Sequence, residues 1–205
     1  MKKKYLMVLF VILAISVLSA CGGNNQDGAE NGQPAEATEE STDAATTAVN
    51  DTMVIYFSVT GNTEGVAETI AQITGADTYK IEAAEPYTDA DIEYNDECRS
   101  AVEQNDPDAR PAFAGDAPSL EGVQTVFLGY PIWYGQAPRI MYTFVESVSF
   151  DGVTVIPFCT SDNSGIGDSA KELEQNAGSG TWLAGERFAA GASEDELRTW
   201  IESVQ

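Results

Sequence analysis

The chain has 205 residues, of which 33 are acidic, ten are basic and none is histidine, and its formal net charge is −23. This charge disfavours binding to nucleic acids and to anionic lipid headgroups, and the lack of histidine excludes Ser-His-Asp and Cys-His nucleophilic catalysis. Three cysteines are too few for an ordinary iron–sulfur cluster or a cysteine-rich zinc site, so any redox cofactor is expected to be organic, with no metal site.

The first twenty residues have the composition of an export signal. Three lysines at residues 2–4 precede an uncharged apolar run over residues 5–17 and the sequence LSAC at residues 18–21. These four residues resemble the lipobox of bacterial lipoprotein precursors, in which the cysteine is acylated. The run is shorter than the roughly 18 to 20 residues that span a bilayer, which favours a lipid anchor on Cys21 over a transmembrane anchor. We therefore expect residues 1–20 to be a lipoprotein signal peptide and the protein to be extracytoplasmic, lipid-anchored to a bacterial membrane.

Residues 21–51 are expected to form a disordered acidic tether behind the lipidated cysteine. Between Gly22 and Asp51 the chain contains no Lys or Arg and shows no apolar periodicity. Removing the signal peptide takes away three of the ten basic residues and none of the 33 acidic ones, so the remaining chain is still more acidic. This charge would attract a basic partner protein, although acidity also serves solubility. Residues 52–205 are enough for one compact domain.

A polar loop follows the first predicted strand. The apolar run Met53–Phe57 comes directly before it, and a helix-patterned stretch runs from it to Gly75. A hydroxyl- and amide-rich turn between a strand and a helix offers backbone N–H groups and the helix dipole to a phosphate. The alternative is a ligand-free polar turn in which Thr63 or Asn62 caps the helix. The residues of this predicted phosphate-binding loop are Ser58, Val59, Thr60, Gly61, Asn62 and Thr63.

The rest of the chain alternates strand-like and helix-like segments. A short strand is predicted over Thr78–Ile81, and an irregular acidic helix around residues 89–104 lies within a long polar connection. Thr125–Tyr130 and Val153–Phe158 are nearly continuous apolar runs, which is typical of parallel strands covered on both faces. Apolar residues recur at helical spacing between these two runs and again near the C-terminus, after a capping-box pattern at Ser193. This order predicts an α/β fold, a doubly wound parallel sheet that binds ligands at the carboxyl ends of its strands.

Two more loops at predicted strand ends suit the same ligand. The loop after the third strand, residues 130–138, is rigid and aromatic, and the loop after the fourth, residues 159–167, is polar and contains glycines. A phosphate-binding loop, an aromatic wall and a hydrogen-bonding rim together indicate a flavin mononucleotide (FMN) site. In the alternative reading, Trp133 and Tyr134 cap the core and the polar loop is a surface turn. Cys98 and Cys159 are expected to be separate buried thiols, although they could pair outside the cytoplasm.

These motifs resemble the flavodoxin-like family over residues 52–205. The resemblance rests on the S-x-T-G-N-T, Y-P-I-W-Y-G and T-S-x-x-S-G-I-G loops and on the ending from Gly185 to Trp200. It implies a five-stranded sheet in the order 2-1-3-4-5, the short-chain form, and non-covalent FMN. The phosphate would lie on the loop at residues 58–63. The residues implied to flank the isoalloxazine on one side are Pro131, Ile132, Trp133, Tyr134 and Gly135, and those on the other side are Thr160, Ser161, Asp162, Asn163, Ser164 and Gly165.

One departure from the family bears on the chemistry. In many flavodoxins a glycine directly follows the stacking aromatic residue, whereas here Tyr134 stands between Trp133 and Gly135. Flavin binding is therefore better supported by the sequence than one-electron chemistry. Asp162 and the acidic surroundings would disfavour an anionic reduced flavin and so lower its potential.

Three functions are compatible with these observations. The first is an FMN-binding electron-transfer protein tethered to the outer face of a bacterial membrane, whose redox partners have a basic docking surface and which has no catalytic acid or base. The second is an FMN-dependent NAD(P)H- or quinone-type reductase, in which Arg139 contacts an anion beside the flavin. The third is a flavin-free interaction module that keeps the fold.

Overall fold

The computed structural model describes residues 51–205. The predicted signal peptide, Cys21 and all but the last residue of the predicted tether lie outside this range. No helix within it is long and apolar enough to cross a membrane. In chain order the elements are β1 (Thr52–Phe57), α1 (Asn62–Thr74), β2 (Asp77–Ile81), a 3₁₀ helix (Asp89–Ile92), α2 (Arg99–Asn105), β3 (Thr125–Pro131), α3 (Arg139–Ser147), β4 (Thr154–Thr160), α4 (Ser169–Ala177), β5 (Thr181–Trp182), β6 (Glu186–Phe188) and α5 (Glu194–Val204).

All strands lie in one parallel sheet in the order β2-β1-β3-β4-β5, and β6 also pairs with β4. The short strands β5 and β6 are two pieces of one edge position, so the predicted order 2-1-3-4-5 is confirmed. Pro157 of β4 lies opposite the interruption and has no N–H group for the ladder. Gly185 lies so close to it that a Cβ would come within 2.8 Å of the Pro157 carbonyl oxygen.

The sheet is buried on both faces, as the apolar strands predicted. Val54 and Tyr56 of β1 join a cluster with α1 and α5, whereas Ile55 and Phe57 join the cluster that contains α3. Successive side chains of a strand point to opposite faces, so one apolar run supplies both layers of core. The sheet edge at the carboxyl ends of β1, β3 and β4 is thereby held rigidly from both sides.

The acidic helix predicted around residues 89–104 was wrong in its extent. The structure has a 3₁₀ helix over Asp89–Ile92 and a separate helix α2 that begins only at Arg99. Local side-chain bonds compete with a continuous helix here: the Thr88 backbone N–H donates to the Asp91 carboxylate at 2.8 Å, and the Glu97 N–H donates to Asn95 Oδ1 at 3.0 Å. Short polar side chains therefore divide the segment into a turn-rich connection and a short helix.

Candidate functional site

A cavity of about 400 Å³ lies at the carboxyl ends of the central strands. It brings together the three loops that the sequence singled out, and its volume is in the range of small-molecule sites. The predicted site residues that line it are Thr60, Asn62, Pro131, Ile132, Trp133, Tyr134, Thr160, Ser161, Asp162, Asn163 and Ser164. The other lining residues, which the sequence reasoning missed, are Ile92, Tyr94, Ser100 and Ala190. All but Ala190 come from the connection between β2 and β3, where the sequence predicted only an irregular acidic helix in a long polar segment.

The first loop presents an open helix N-terminus to this cavity. Gly61 is the N-cap of α1 with φ 87°, and no side chain caps the helix, so capping by Thr63 or Asn62 was wrong. A left-handed φ is readily adopted by glycine. The uncapped first turn leaves backbone N–H groups and the positive end of the helix dipole beside Thr60 and Asn62, which line the cavity. This end of the cavity is suited to a phosphate.

Three other residues of the first loop, Ser58, Val59 and Thr63, do not line this cavity. Thr63 is buried, and its hydroxyl is 2.7 Å from that of Thr160, a hydrogen bond that joins the start of α1 to the end of β4. Ser58 and Val59 line a separate cavity of about 240 Å³ near the ends of β1 and β2. The structure therefore places part of the predicted phosphate loop against the ligand cavity and part of it elsewhere.

The aromatic loop after β3 ends in a tight turn. Trp133 and Gln136 exchange two backbone hydrogen bonds of 2.9 Å, and both central residues, Tyr134 (φ 50°) and Gly135 (φ 79°), are left-handed, which is the pattern of a type I′ turn. Tyr134 is the one non-glycine residue with positive φ in residues 51–205. Its backbone thus adopts a conformation that glycine takes more readily, at the position where the sequence departs from many flavodoxins.

Trp133 serves the core as well as the cavity. Its indole meets Phe57 and Tyr87 edge-on, with ring centroids 5.6 and 5.2 Å away. The side chain lines the cavity at the same time. The alternative reading, in which this residue caps the core, therefore describes part of its surroundings, and these edge-on contacts fix the orientation of the ring.

Helix α2 holds the aromatic loop through a buried amide. The Gln104 side chain is 3% exposed, donates to the carbonyls of Trp133 (3.3 Å) and Ala137 (3.0 Å), and accepts from the Arg139 N–H (3.0 Å). The Arg139 guanidinium is also buried, and it donates to the carbonyls of residues 103 and 104 and to the Gln136 side chain. Arg139 does not line the cavity. The prediction that it contacts an anion beside the flavin was wrong, because its donors are turned toward α2 and Gln136.

Cys98 and Tyr134 form a small polar cluster at the cavity edge. The Tyr134 hydroxyl is 3.5 Å from Cys98 Sγ, and the Ser100 hydroxyl is 3.2 Å from the same sulfur. Burial raises the pKa of the Cys98 thiol, but the hydrogen bonds with Ser100 and Tyr134 outweigh burial and lower the pKa to about 7. The bond to Cys98 in turn raises the pKa of Tyr134, so its hydroxyl stays protonated. Both cysteines are free and buried, as expected.

The loop after β4 supplies the polar side of the cavity. Its Ser161 hydroxyl donates to the Ser164 carbonyl, and the Arg187 guanidinium donates to the carbonyls of Ser161 and Asp162. Asp162 is the one charged side chain among the lining residues. Gly165, like Gly135, stands beside the lining residues without being one of them. The Arg187 guanidinium thus fixes the backbone of the loop. The side chains of the loop offer hydroxyl, amide and carboxylate groups to the cavity.

The site is suited to holding a ligand through polar and aromatic groups. Its lining contains no lysine, arginine, cysteine or histidine, and residues 51–205 contain no cluster of side chains that could hold a metal ion. An uncapped helix end, an aromatic loop and a polar loop converge on one cavity. Such a lining suits a flat heterocycle that carries a phosphate.

Comparisons with known proteins agree with this description. The sequence profile described as Flavodoxin matches residues 51–204. A comparison with curated proteins found no match. Two solved structures of candidate flavoproteins are similar to this chain. The structure from Bacteroides eggerthii is 41% identical with a TM-score of 0.69, and the match covers 75% of this chain and 96% of the Bacteroides eggerthii chain. That from Bacteroides uniformis is 41% identical with a TM-score of 0.70, covering 74% of this chain and 97% of that one.

A more distant structure is similar in fold. A flavoprotein from Lactobacillus acidophilus, solved in complex with FMN, is 17% identical with a TM-score of 0.53, and the match covers 71% of this chain and 97% of that one. At this identity the likeness supports the doubly wound sheet alone, which agrees with the strand order found here.

Proposed function

The chain belongs to the flavodoxin family, and from that premise we propose that it is an FMN-binding electron carrier. The observation that carries this proposal is the convergence of three loops, residues 58–63, 131–135 and 160–165, on one cavity at the carboxyl ends of β1, β3 and β4. In doubly wound sheets this edge is where nucleotide cofactors bind. FMN, the cofactor of the family, fits the donors that are present.

The open N-terminus of α1 is the part of the site that suits the phosphate. Thr60 and Asn62 line the cavity beside the uncapped first turn, and Gly61 gives the loop its left-handed bend. Their N–H, hydroxyl and amide groups would hold a phosphate that a neutral riboflavin lacks. The site therefore favours FMN over riboflavin.

The two other loops are suited to the isoalloxazine. Pro131 to Tyr134 would present apolar and aromatic surface, and Ser161 to Ser164 would present polar groups to the edges of the heterocycle. Bound FMN would supply the redox chemistry, and the protein residues position it and tune its potential. Asp162 places a carboxylate in the lining, which opposes negative charge on a reduced flavin and favours a low potential.

The reductase alternative depended on an anion contact that the structure does not provide. Arg139 was its expected anion contact, and this side chain is buried in hydrogen bonds to α2 and Gln136. The lining contains no cationic side chain for an anionic substrate. Electron transfer through FMN, without acid–base chemistry by the protein, is the function that these residues support best.

We further propose that this carrier works outside the cytoplasm, tethered to a bacterial membrane by a lipid on Cys21, and that its redox partner has a basic docking surface. The lipobox-like residues 18–21 support the anchor, and the formal charge of −23 supports attraction to a basic protein. Metabolic labelling with a clickable fatty acid tests the anchor: label should enter the wild type and should be lost in Cys21→Ala. Equal labelling of both proteins would contradict it.

Electron transfer is tested with the purified protein loaded with FMN. We expect the anaerobically reduced protein to reduce cytochrome c, a basic one-electron acceptor, at a rate that falls as salt is added. A flavin that is retained but turns over only with a nicotinamide donor and a quinone would contradict the carrier and favour the reductase. Failure to retain FMN would contradict both and leave the interaction module.

A further inference from the structure

Tyr94 is an unusual lining residue of the cavity because its side chain is mostly exposed to solvent. It is 86% exposed, which makes it the most exposed large apolar side chain in residues 51–205. The second exposed large apolar side chain in this range is Val102, at 57%. Single exposed aromatic residues are common on protein surfaces and need no explanation. Tyr94 differs because it stands at a ligand cavity.

The backbone around Tyr94 is fixed although its ring is exposed. The Asn95 N–H donates to the Glu93 carbonyl at 2.8 Å, so Tyr94 lies at the centre of a tight turn. The Cys98 thiol donates to the same carbonyl at 2.8 Å, and the Tyr134 hydroxyl donates to the carbonyls of Glu93 (3.4 Å) and Asn95 (3.3 Å). These hydrogen bonds fix the backbone of both residues next to Tyr94, Glu93 and Asn95. The Tyr94 ring therefore projects from a well-fixed segment of backbone.

The ring of Tyr94 extends the aromatic side of the cavity. Its centroid is 5.3 Å from that of Tyr134, with 35° between the ring planes. The opposite loop, residues 160–165, contains no aromatic side chain. Trp133 has edge-on partners in the core. Among the cavity-lining aromatic residues, Tyr94 therefore has the most ring surface available to a ligand.

We propose that Tyr94 is a cofactor-contacting residue that covers the isoalloxazine at the mouth of the cavity, with the Tyr134 hydroxyl as the group that positions it. This inference rests on the proposed function, because it requires FMN in the cavity. Burying an exposed aromatic ring against a flat heterocycle is favourable. The contact involves the ring system and not the phosphate, so it strengthens the binding of FMN and riboflavin alike.

The test compares Tyr94→Leu and Tyr94→Phe in titrations of the purified protein with FMN and with riboflavin. We expect Tyr94→Leu to raise the dissociation constants of both flavins by the same factor, roughly 3- to 10-fold. Tyr94→Phe keeps the ring and should bind both flavins like the wild type. Tyr134→Phe, which removes the hydroxyl bonds to Glu93 and Asn95, should weaken both flavins to a smaller extent.

The matched control is Val102→Ala, which shortens another exposed apolar side chain on α2 that does not line the cavity. It should leave both dissociation constants unchanged, and thermal unfolding should show all variants to be folded. Tyr94→Leu that binds FMN like the wild type would overturn this inference and leave the proposed function intact. A loss confined to FMN would also overturn it, because the contact would then not be with the ring. A wild type that binds neither flavin would overturn the proposed function and this inference with it.

Discussion

Two cysteines in one domain have thiols of very different acidity. Burial raises the pKa of Cys159 to about 12, whereas hydrogen bonds with Ser100 and Tyr134 lower that of Cys98 to about 7 in spite of burial. Both thiols are free. The difference follows from position: Cys159 lies within β4, and Cys98 lies at the start of α2 among hydroxyl groups.

We expect the ultraviolet absorbance of thiolate to show one titration near pH 7 in the native protein. The folded-state pKa of Cys98 lies below its ordinary value of 9.0, so its thiolate stabilises the fold above pH 9, and this contribution disappears as the pH falls through about 7. The Cys98→Ser variant should lose the titration. Its persistence in that variant, or its absence from the wild type, would contradict the assignment.

Gly129 and Gly65 give a matched pair of glycine substitutions. A Cβ at Gly129 of β3 would come within 2.2 Å of the Phe158 ring, whereas at Gly65 of α1 it would meet nothing within 4 Å. We expect Gly129→Ala to lower the free energy of unfolding by about 1–3 kcal/mol through overpacking. Gly65→Ala should raise it by about 0.5–1 kcal/mol, because alanine favours the helix. Urea unfolding measures both, and equal effects would show that the β3–β4 contact is looser than described.

At the scale of elements, the attachment of α2 to the aromatic loop is the contact that shapes the site. The buried Gln104 side chain makes three hydrogen bonds, two to loop carbonyls and one from the Arg139 N–H. Removing its amide leaves these backbone groups without their partner in a buried position. The aromatic loop that lines the cavity is thereby linked to α2, a helix in the connection between β2 and β3.

We expect Gln104→Ala to lower the free energy of unfolding by about 1–3 kcal/mol and to weaken FMN binding. The control is Gln175→Ala on α4, where the side chain is exposed and the change should stay within about 0.5 kcal/mol. Urea unfolding and flavin titration give the two readouts. If the two glutamine variants were equally stable, the buried amide would not hold the loop.

Elements with a strong hydrophobic pattern could be predicted from the sequence, and elements held by local polar contacts could not. The strand runs that begin at Met53, Thr125 and Val153 correspond to β1, β3 and β4 within one or two residues, because continuous apolar runs suit strands buried on both faces. The segment from Asp89 to Gln104 has no such pattern, and side-chain bonds to its backbone decide where its helices break.

The cavity was predictable in outline for a similar reason. Parallel strands bring their carboxyl ends to one edge, so three polar or aromatic loops had to meet there. The orientation of single side chains was not predictable: Arg139 follows the aromatic loop in sequence but is buried against α2, and Tyr94 reaches the cavity from a distant acidic segment. Such placements depend on tertiary hydrogen bonds between residues far apart in sequence.

At the scale of the whole molecule, the chain is strongly acidic, and its domain has a flavin site whose lining carries a single charged side chain, Asp162. The formal charge of the 205-residue chain, −23, and the single carboxylate in the lining both oppose further negative charge at the cavity. We therefore propose that the dipole and donors of the α1 N-terminus hold the phosphate of FMN, which makes this contact the most demanding feature of the proposed site.

The most direct measurement is therefore a titration of the purified protein with FMN and with riboflavin, followed by flavin fluorescence. We predict one FMN per chain and binding of riboflavin that is weaker by at least about 100-fold, since two or more charge-assisted hydrogen bonds to the phosphate are lost. Equal affinity for both flavins would contradict a phosphate site at the N-terminus of α1. Binding of neither would contradict the flavin site itself.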